Sequence, residues 1–284
     1  MAFLAAFRRS VHALQQTRYR MVFAALATLQ LTARYRKLVR IRVDKAGDWT
    51  SRQPAAAFVA PAYSTRSSES VEAETADIWS HYFPICPGDM LVDIGAGTGD
   101  HLVSLSRAIG AEGRILAIEA HPRTFRCLQK TIAANRLGNV TPLQLAAGDA
   151  EGQVHIEDSP THISNRTGCG ALAVPARPLD AVLADLEGFT PSIVKMNIEG
   201  AEVAALRGAR QSLRTVPRWI VSCHDFKAHR PGFESSATLA AVLEIFRAAA
   251  FDVRPLRDDR RPWIRYYVYA ERRAEERPAP SSPI

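Results

Sequence analysis

The chain has 284 residues, 47% of them hydrophobic and 23% charged, the balance of a water-soluble globular protein with room for one α/β domain of about 200 residues plus appendages. Its formal charge of +7 at pH 7 is gathered at the start: Arg8, Arg9, Arg18, Arg20, Arg34, Arg36, Lys37, Arg40 and Arg42 all precede the first acid, Asp44, which leaves the rest of the chain at −2. A basic core that would track nucleic acid is thereby excluded.

The first segment carries apolar residues at helical spacing: Phe3, Leu4, Phe7, Val11 and Leu14, then Val22, Leu26 and Leu29, then Leu31, Tyr35 and Leu38. Residues 1–58 are expected to be a basic amphipathic helical arm and linker. Met21–Leu29 is too short an apolar run for the roughly 20 residues that span a bilayer. Arginines on both sides and the lack of a small-residue cleavage site argue against a secretory signal. Two roles stand for residues 1–43: docking onto the chain's own domain or an oligomer partner, or peripheral contact with an anionic membrane. Cys86, Cys127, Cys169 and Cys223 are scattered with no metal-type pairing, so a reducing, cytoplasmic setting is expected.

Residues 59–272 read as the main domain, and residues 273–284, rich in proline, as a tail. Met90–Ile94 is a short apolar run carrying Asp93, and it leads into Gly95, Ala96, Gly97, Thr98 and Gly99. This is a buried parallel strand turning into a helix through a glycine loop that lets a ligand approach the backbone. A dinucleotide fingerprint needs a third glycine where Asp100 stands, and a P-loop needs a Lys before Ser or Thr where Asp100 and His101 stand. With no cation in the loop to meet phosphate, S-adenosylmethionine fits better. Leu91–Gly99 resembles the first motif of Rossmann-like S-adenosylmethionine-dependent methyltransferases.

A second strand, Ile115–Ile118, ends on Glu119 and Ala120, about 20 residues beyond the loop, where a carboxylate accepts ribose hydroxyls. Pro122–Leu137 is read as a helix and Asn139–Ala147 as a third strand, which puts Asp149 at the adenine end. Glu151–Leu179 is short, polar and turn-rich: it reads either as a substrate-facing insertion, with His155, His162 and Arg166 within it, or as a surface hairpin. Ser192–Ile198, Trp219–Ser222, Phe251–Pro255 and Tyr266–Ala270 supply the remaining strands of a mostly parallel, seven-stranded sheet with helices on both faces.

Val194-Lys195-Met196-Asn197-Ile198-Glu199-Gly200-Ala201-Glu202, followed by Leu206-Arg207-Gly208-Ala209, is similar to the signature of the FkbM methyltransferase family. The likeness extends over residues 59–272, through Glu69 to Trp79, Pro87-Gly88-Asp89 and the closing Tyr267-Val268-Tyr269-Ala270. It implies the class I methyltransferase fold, S-adenosylmethionine as cofactor, and methyl transfer to a hydroxyl on a sugar, a glycolipid or a polyketide-like product. Cofactor contacts are expected from Asp93, Gly95, Ala96, Gly97, Thr98, Gly99, Glu119, Ala120, Asp149 and Asn197. An alcohol must lose its proton as the new bond forms, so His224 is expected as base and Glu199 as a positioning acid. Two residues depart from the family pattern: Asn197 stands where Asp is usual, and Cys223 where many members have Glu. They favour a competing reading, a non-catalytic protein of this fold that binds a partner or membrane through its Arg-rich arm. The end of the fourth strand lacks the Asn-Pro-Pro-Tyr of nucleic-acid amino-methyltransferases. Asp149 and Asp225 leave a metal-dependent variant open.

Overall fold

The computed structural model describes residues 19–158, 170–255, 259 and 261–273. Expectations for residues 1–18, His162, Arg166 and the tail beyond Arg273 lie outside them.

The arm differs from its expected form. A helix, α1 (Arg20–Tyr35), stops where Arg36 turns left-handed, and three strands follow: β1 (Arg40–Val43), β2 (Trp49–Arg52) and β3 (Ala57–Ala60). They pair antiparallel in that order, so residues 40–60 are a sheet rather than arm and linker. Alternation along Arg40-Ile41-Arg42-Val43 buries Ile41 and Val43 against Ala24, Ala27 and Leu31 of α1. The hydroxyls of Thr28 and Thr32 accept hydrogen bonds from the amides of Ile41 and Val39, at 2.9 and 3.1 Å.

Next come α2 (Ser68–Glu74), which Ser67 caps at its N-terminus and which widens into a π-turn at Thr75–Trp79, and then β4 (Met90–Ile94) and α3 (Asp100–Ile109). β5 (Arg114–Ile118) and α4 (Pro122–Asn135) repeat the strand-helix unit, and α4 starts at its proline as expected. The small sheet docks on α4: Val59 donates to Thr131 Oγ1 at 3.1 Å, Ala57 donates to Asn135 Oδ1 at 2.9 Å, and buried Asp48 accepts from Arg126 and Lys130. The described part of the arm is therefore built into the domain.

β6 (Val140–Leu143) is followed by a second small sheet of β7 (Ala146–Ala147), β8 (Gly152–Ile156) and β9 (Leu172–Arg177), which makes the turn-rich insertion a hairpin packed beside the domain. After α5 (Leu179–Ala184) come β10 (Ile193–Met196), α6 (Glu202–Arg207), α7 (Ser212–Thr215), β11 (Arg218–Ser222), α8 (Leu239–Ala248), β12 (Phe251–Pro255) and β13 (Tyr267–Arg272).

The main sheet runs β12-β13-β11-β10-β4-β5-β6, and within it β13 is antiparallel to both its neighbours. Side chains alternate between two cores. Val92, Ile94, Val194 and Met196 face Leu206, Val242 and Phe246, while Leu91, Ile115 and Ile193 face Val71, Leu102 and Leu128. Each such fully buried aliphatic side chain stabilises the fold by about 1.5–3 kcal/mol. The strand order reverses between β4 and β10, and in open α/β sheets that is where a ligand crevice opens at the carboxyl ends.

Candidate active site

The glycine loop wraps the end of β5. The amides of Gly95 and Ala96 both donate to Ile118 O, at 2.9 and 3.0 Å, and Gly97 N donates to Glu119 Oε2 at 2.9 Å. Gly95 has φ +77°, and a Cβ there would lie 2.1 Å from the Asn197 carbonyl, so the loop touches the end of β10 through bare backbone. At Gly97, with φ +59°, a Cβ would meet nothing within 4 Å, because this glycine borders open crevice.

The crevice is lined by Gly95, Gly97, Glu119, Ala120, Asn197 and Glu199 among the expected residues. Ile118, Leu145, Ala146, Ala147 and Ile156 form an apolar wall, so the hairpin contributes Ile156 to it. His121 is a lining residue that the sequence reading missed; its Nδ1 accepts from Arg123 N at 3.2 Å and caps α4. Burial holds its imidazole below the usual range, so it is neutral near pH 7.

Glu119 accepts at both oxygens, from Gly97 N and from His121 N, each at 2.9 Å. Burial pushes its carboxyl up to about 7 against those two backbone bonds. Asn197 Oδ1 is buried with no hydrogen-bond partner among the described residues, an acceptor on the crevice wall open to a ligand donor.

Several expected contacts are corrected. Asp93 shares its face of the sheet with in-register Lys195 and accepts from Lys195 Nζ at 2.5 Å, both buried, while that ammonium lies 4.3 Å from the Trp79 ring centroid. It is absent from the crevice wall and supports the loop from within the core. Asp149 is exposed and is not among the residues that line the crevice. Ala96 packs on the core, Thr98 Oγ1 donates to Asp100 Oδ1 at 2.8 Å, and Gly99 is the N-cap of α3, so these three shape the loop without lining the crevice.

His224 is also corrected. It is buried between two carboxylates, with Nε2 3.2 Å from Glu199 Oε1 and Nδ1 3.0 Å from Glu202 Oε1. Burial opposes its charge, yet hydrogen bonds to Glu199 and Glu202 outweigh it and push the imidazole up to about 9. With both nitrogens donating, it has no lone pair for a substrate proton. Glu202, fully buried, also accepts from Thr238 Oγ1 at 2.9 Å and from Gly200 N at 3.0 Å.

Glu199 stands on the crevice wall with a left-handed backbone, φ +56°, a conformation that costs about 1–3 kcal/mol and gathers at functional sites. Burial would raise its carboxyl, but His224 and Lys227, whose ammonium bonds Oε2, hold it below the usual carboxylate range. Asp225 accepts from the amides of Thr238 and Leu239 at 3.1 and 3.0 Å, and among the described residues no three His, Cys, Asp or Glu side chains converge as a metal cluster.

These walls suit S-adenosylmethionine: an apolar surface, the carboxylate of Glu119 beside the glycine loop, an acceptor oxygen at Asn197, and no Lys or Arg among the described lining residues to meet a phosphate. A family profile described as the Methyltransferase FkbM domain matches residues 93–254. The hexuronic acid methyltransferase AglP of Haloferax volcanii is 28% identical over 141 residues, 48% of this chain; the chain spans 56% of that relative's length. Among solved structures, methyltransferase FkbM from Methylobacillus flagellatus KT is 22% identical at TM-score 0.48, the match covering 72% of this chain and 51% of that one. Aeropyrum pernix fibrillarin, solved with S-adenosyl-L-methionine, is 14% identical at TM-score 0.43 over 82% of this chain and 97% of that one. The profile match covers more than half of the sequence, and the chain belongs to the FkbM family of methyltransferases.

Proposed function

We propose that this methyltransferase uses S-adenosylmethionine to methylate an oxygen, a hydroxyl of a sugar, a glycolipid or a polyketide-like product. The observation that carries the reading is Glu199, an ionised carboxylate held in a left-handed backbone on the wall of the cofactor crevice. Glu119 would hold the ribose hydroxyls, Ile118, Leu145, Ala147 and Ile156 the adenine, and Gly97 with Asn197 the methionine end. When bound, the cofactor supplies a methyl group made electrophilic by its sulfonium sulfur.

The chain's own contribution is placement. Holding an acceptor oxygen near that methyl in a water-excluded site is worth up to about 7–11 kcal/mol. Glu199 accepts the acceptor hydroxyl's hydrogen bond and turns an oxygen lone pair toward the methyl. Its lowered pKa is no obstacle: an oxygen that has gained a methyl before losing its proton is strongly acidic, so a weak base suffices late in the step. His224 and Lys227 keep Glu199 ionised and in place. The similarity to a hexuronic acid methyltransferase supports a carbohydrate acceptor.

The test is transfer of labelled methyl from S-adenosylmethionine to a panel of sugars, glycolipids and polyketide alcohols. Transfer that falls at least a hundredfold in Glu199→Gln supports the proposal. Tight cofactor binding with no transfer to any acceptor favours the non-catalytic reading.

A specific observation favours the membrane contact as well. The outward face of α1 exposes Val22, Leu26 and Leu29 at 59%, 61% and 69%, and no charged side chain interrupts it between Arg20 and Arg34. We propose that this face rests on an anionic membrane surface. Among the described residues no helix is long and apolar enough to cross one. Leu26→Asp should reduce co-sedimentation with phosphatidylglycerol vesicles; equal co-sedimentation of both proteins refutes the contact.

A further inference from the structure

Beside Glu199, at the carboxyl end of the sheet, two turns meet that are not among the crevice-lining residues. One follows β11 and carries His224 to Lys227; the other precedes β13 and carries Ile264 to Tyr266. Cys223 N donates to Tyr266 O at 3.0 Å and fixes them together. The half-buried rings of Phe226 and Tyr266 lie side by side, centroids 6.1 Å apart and planes tilted by 36°.

This aromatic shelf is tied to the crevice by short links. The Phe226 ring is 5.8 Å from the His224 ring, and His224 bonds Glu199. Lys227 Nζ lies 5.5 Å from the Phe226 centroid and bonds the other Glu199 oxygen. Exposed Arg265 places its guanidinium carbon 5.3 Å from the Tyr266 ring centroid and has no carboxylate partner among the described residues. The methyl-transfer chemistry leaves these three side chains unused.

Two rigid rings suit the face of a pyranose, whose axial C–H groups make an apolar surface while its hydroxyls stay at the rim. A guanidinium near a ring and without a carboxylate partner keeps its fork of donors free for a carboxylate or a phosphate. Resting on the methyl-transfer reading of Glu199, we propose that Phe226 and Tyr266 are the acceptor platform and that Arg265 selects a sugar ring bearing an anionic group. The ring lies on the shelf, its anionic substituent faces Arg265, and its reacting hydroxyl reaches Glu199.

The test measures binding to the full chain saturated with S-adenosylhomocysteine, by calorimetric titration of methyl glucuronide, glucose 1-phosphate and methyl glucoside. At least one anionic sugar should bind about tenfold or more tightly than methyl glucoside, the worth of one charge-assisted hydrogen bond. Preference for the glucuronide assigns the anion to the sugar's own carboxylate, and preference for glucose 1-phosphate assigns it to a phosphate. Arg265→Gln should erase that preference, whereas Phe226→Leu should weaken all the sugars about tenfold. S-adenosylhomocysteine affinity, equal in all three proteins, reports that each variant is folded. Equal affinities for the three sugars, or variants that bind them as the parent does, overturn the shelf while leaving the cofactor site standing. Failure of the parent chain to bind S-adenosylhomocysteine overturns the methyl-transfer reading and the shelf with it.

Discussion

Replacing His224 with glutamine should change how stability depends on pH, and the sign follows from the two carboxylates around the ring. The imidazole pKa is about 9 in the folded protein against an ordinary value of 6.5. Between those limits the folded chain holds a proton that the unfolded chain has lost, so this contribution is complete below pH 6.5 and fades as pH rises through 9. At about 1.4 kcal/mol per pH unit, the full span is worth about 3 kcal/mol. In His224→Gln the buried Glu202 retains its bonds from Thr238 and Gly200, but the neutral amide brings no charge and the ionic contribution is gone. Differential scanning fluorimetry of both proteins from pH 6 to 10 should show the parent melting higher at pH 6, with the gap narrowing by about 6–12 °C toward pH 10. The difference between the two curves cancels the titrating groups that do not touch His224 and leaves those of the His224, Glu199 and Glu202 cluster. Parallel curves would refute the charged clamp and return His224 to consideration as a base.

Lys195→Met leaves Asp93 buried and unpaired, and should cost about 3–5 kcal/mol in urea unfolding, while the double variant with Asp93→Asn should recover most of it. S-adenosylhomocysteine affinity should fall as pH drops through about 7, because Glu119 gains a proton there and offers one acceptor fewer to the ribose; Glu119→Gln should bind weakly with a flat profile. Gly208→Ala places a Cβ 1.9 Å from the Gly148 carbonyl and 3.1 Å from Pro178 Cα, both backbone, so thermal unfolding should show a loss of about 1–3 kcal/mol.

What the sequence made readable was whatever obeyed a local rule. The alternating strands, the glycine loop at Gly95 and Gly97 and the proline start of α4 follow from periodicity and backbone sterics, and Glu119 follows from its offset beyond the loop. The small sheet of residues 40–60 was missed although Arg40-Ile41-Arg42-Val43 alternates, because its burial partner is a helix earlier in the chain. The motif around Asp93 points to a ligand; that its charge is met by Lys195 depends on the register of β4 against β10, which no single segment contains. Gly208 belongs to the same class: only its approach to Gly148 explains why the Leu-Arg-Gly turn ends in glycine. His224 and Glu202 are 22 residues apart in sequence, and their bond reverses the role that proximity to a strand end suggested for the histidine.

The two departures from the family pattern bear on the proposed methyl transfer, and their surroundings are compatible with it. Asn197 keeps the carbonyl oxygen of the usual Asp without its charge, and that oxygen is buried, without a partner among the described residues and carried by a residue of the crevice wall, so it can still accept from a ligand N–H or O–H. Cys223 is fully buried; burial and the neighbouring Glu202 push its thiol up and keep it neutral. A Glu at that position would add a third carboxylate to a cluster where one imidazolium already answers Glu199 and Glu202. Neutral Cys223 therefore lets His224 serve those two alone and leaves Glu199, the carboxylate on which the proposed transfer rests, held below the usual carboxylate range.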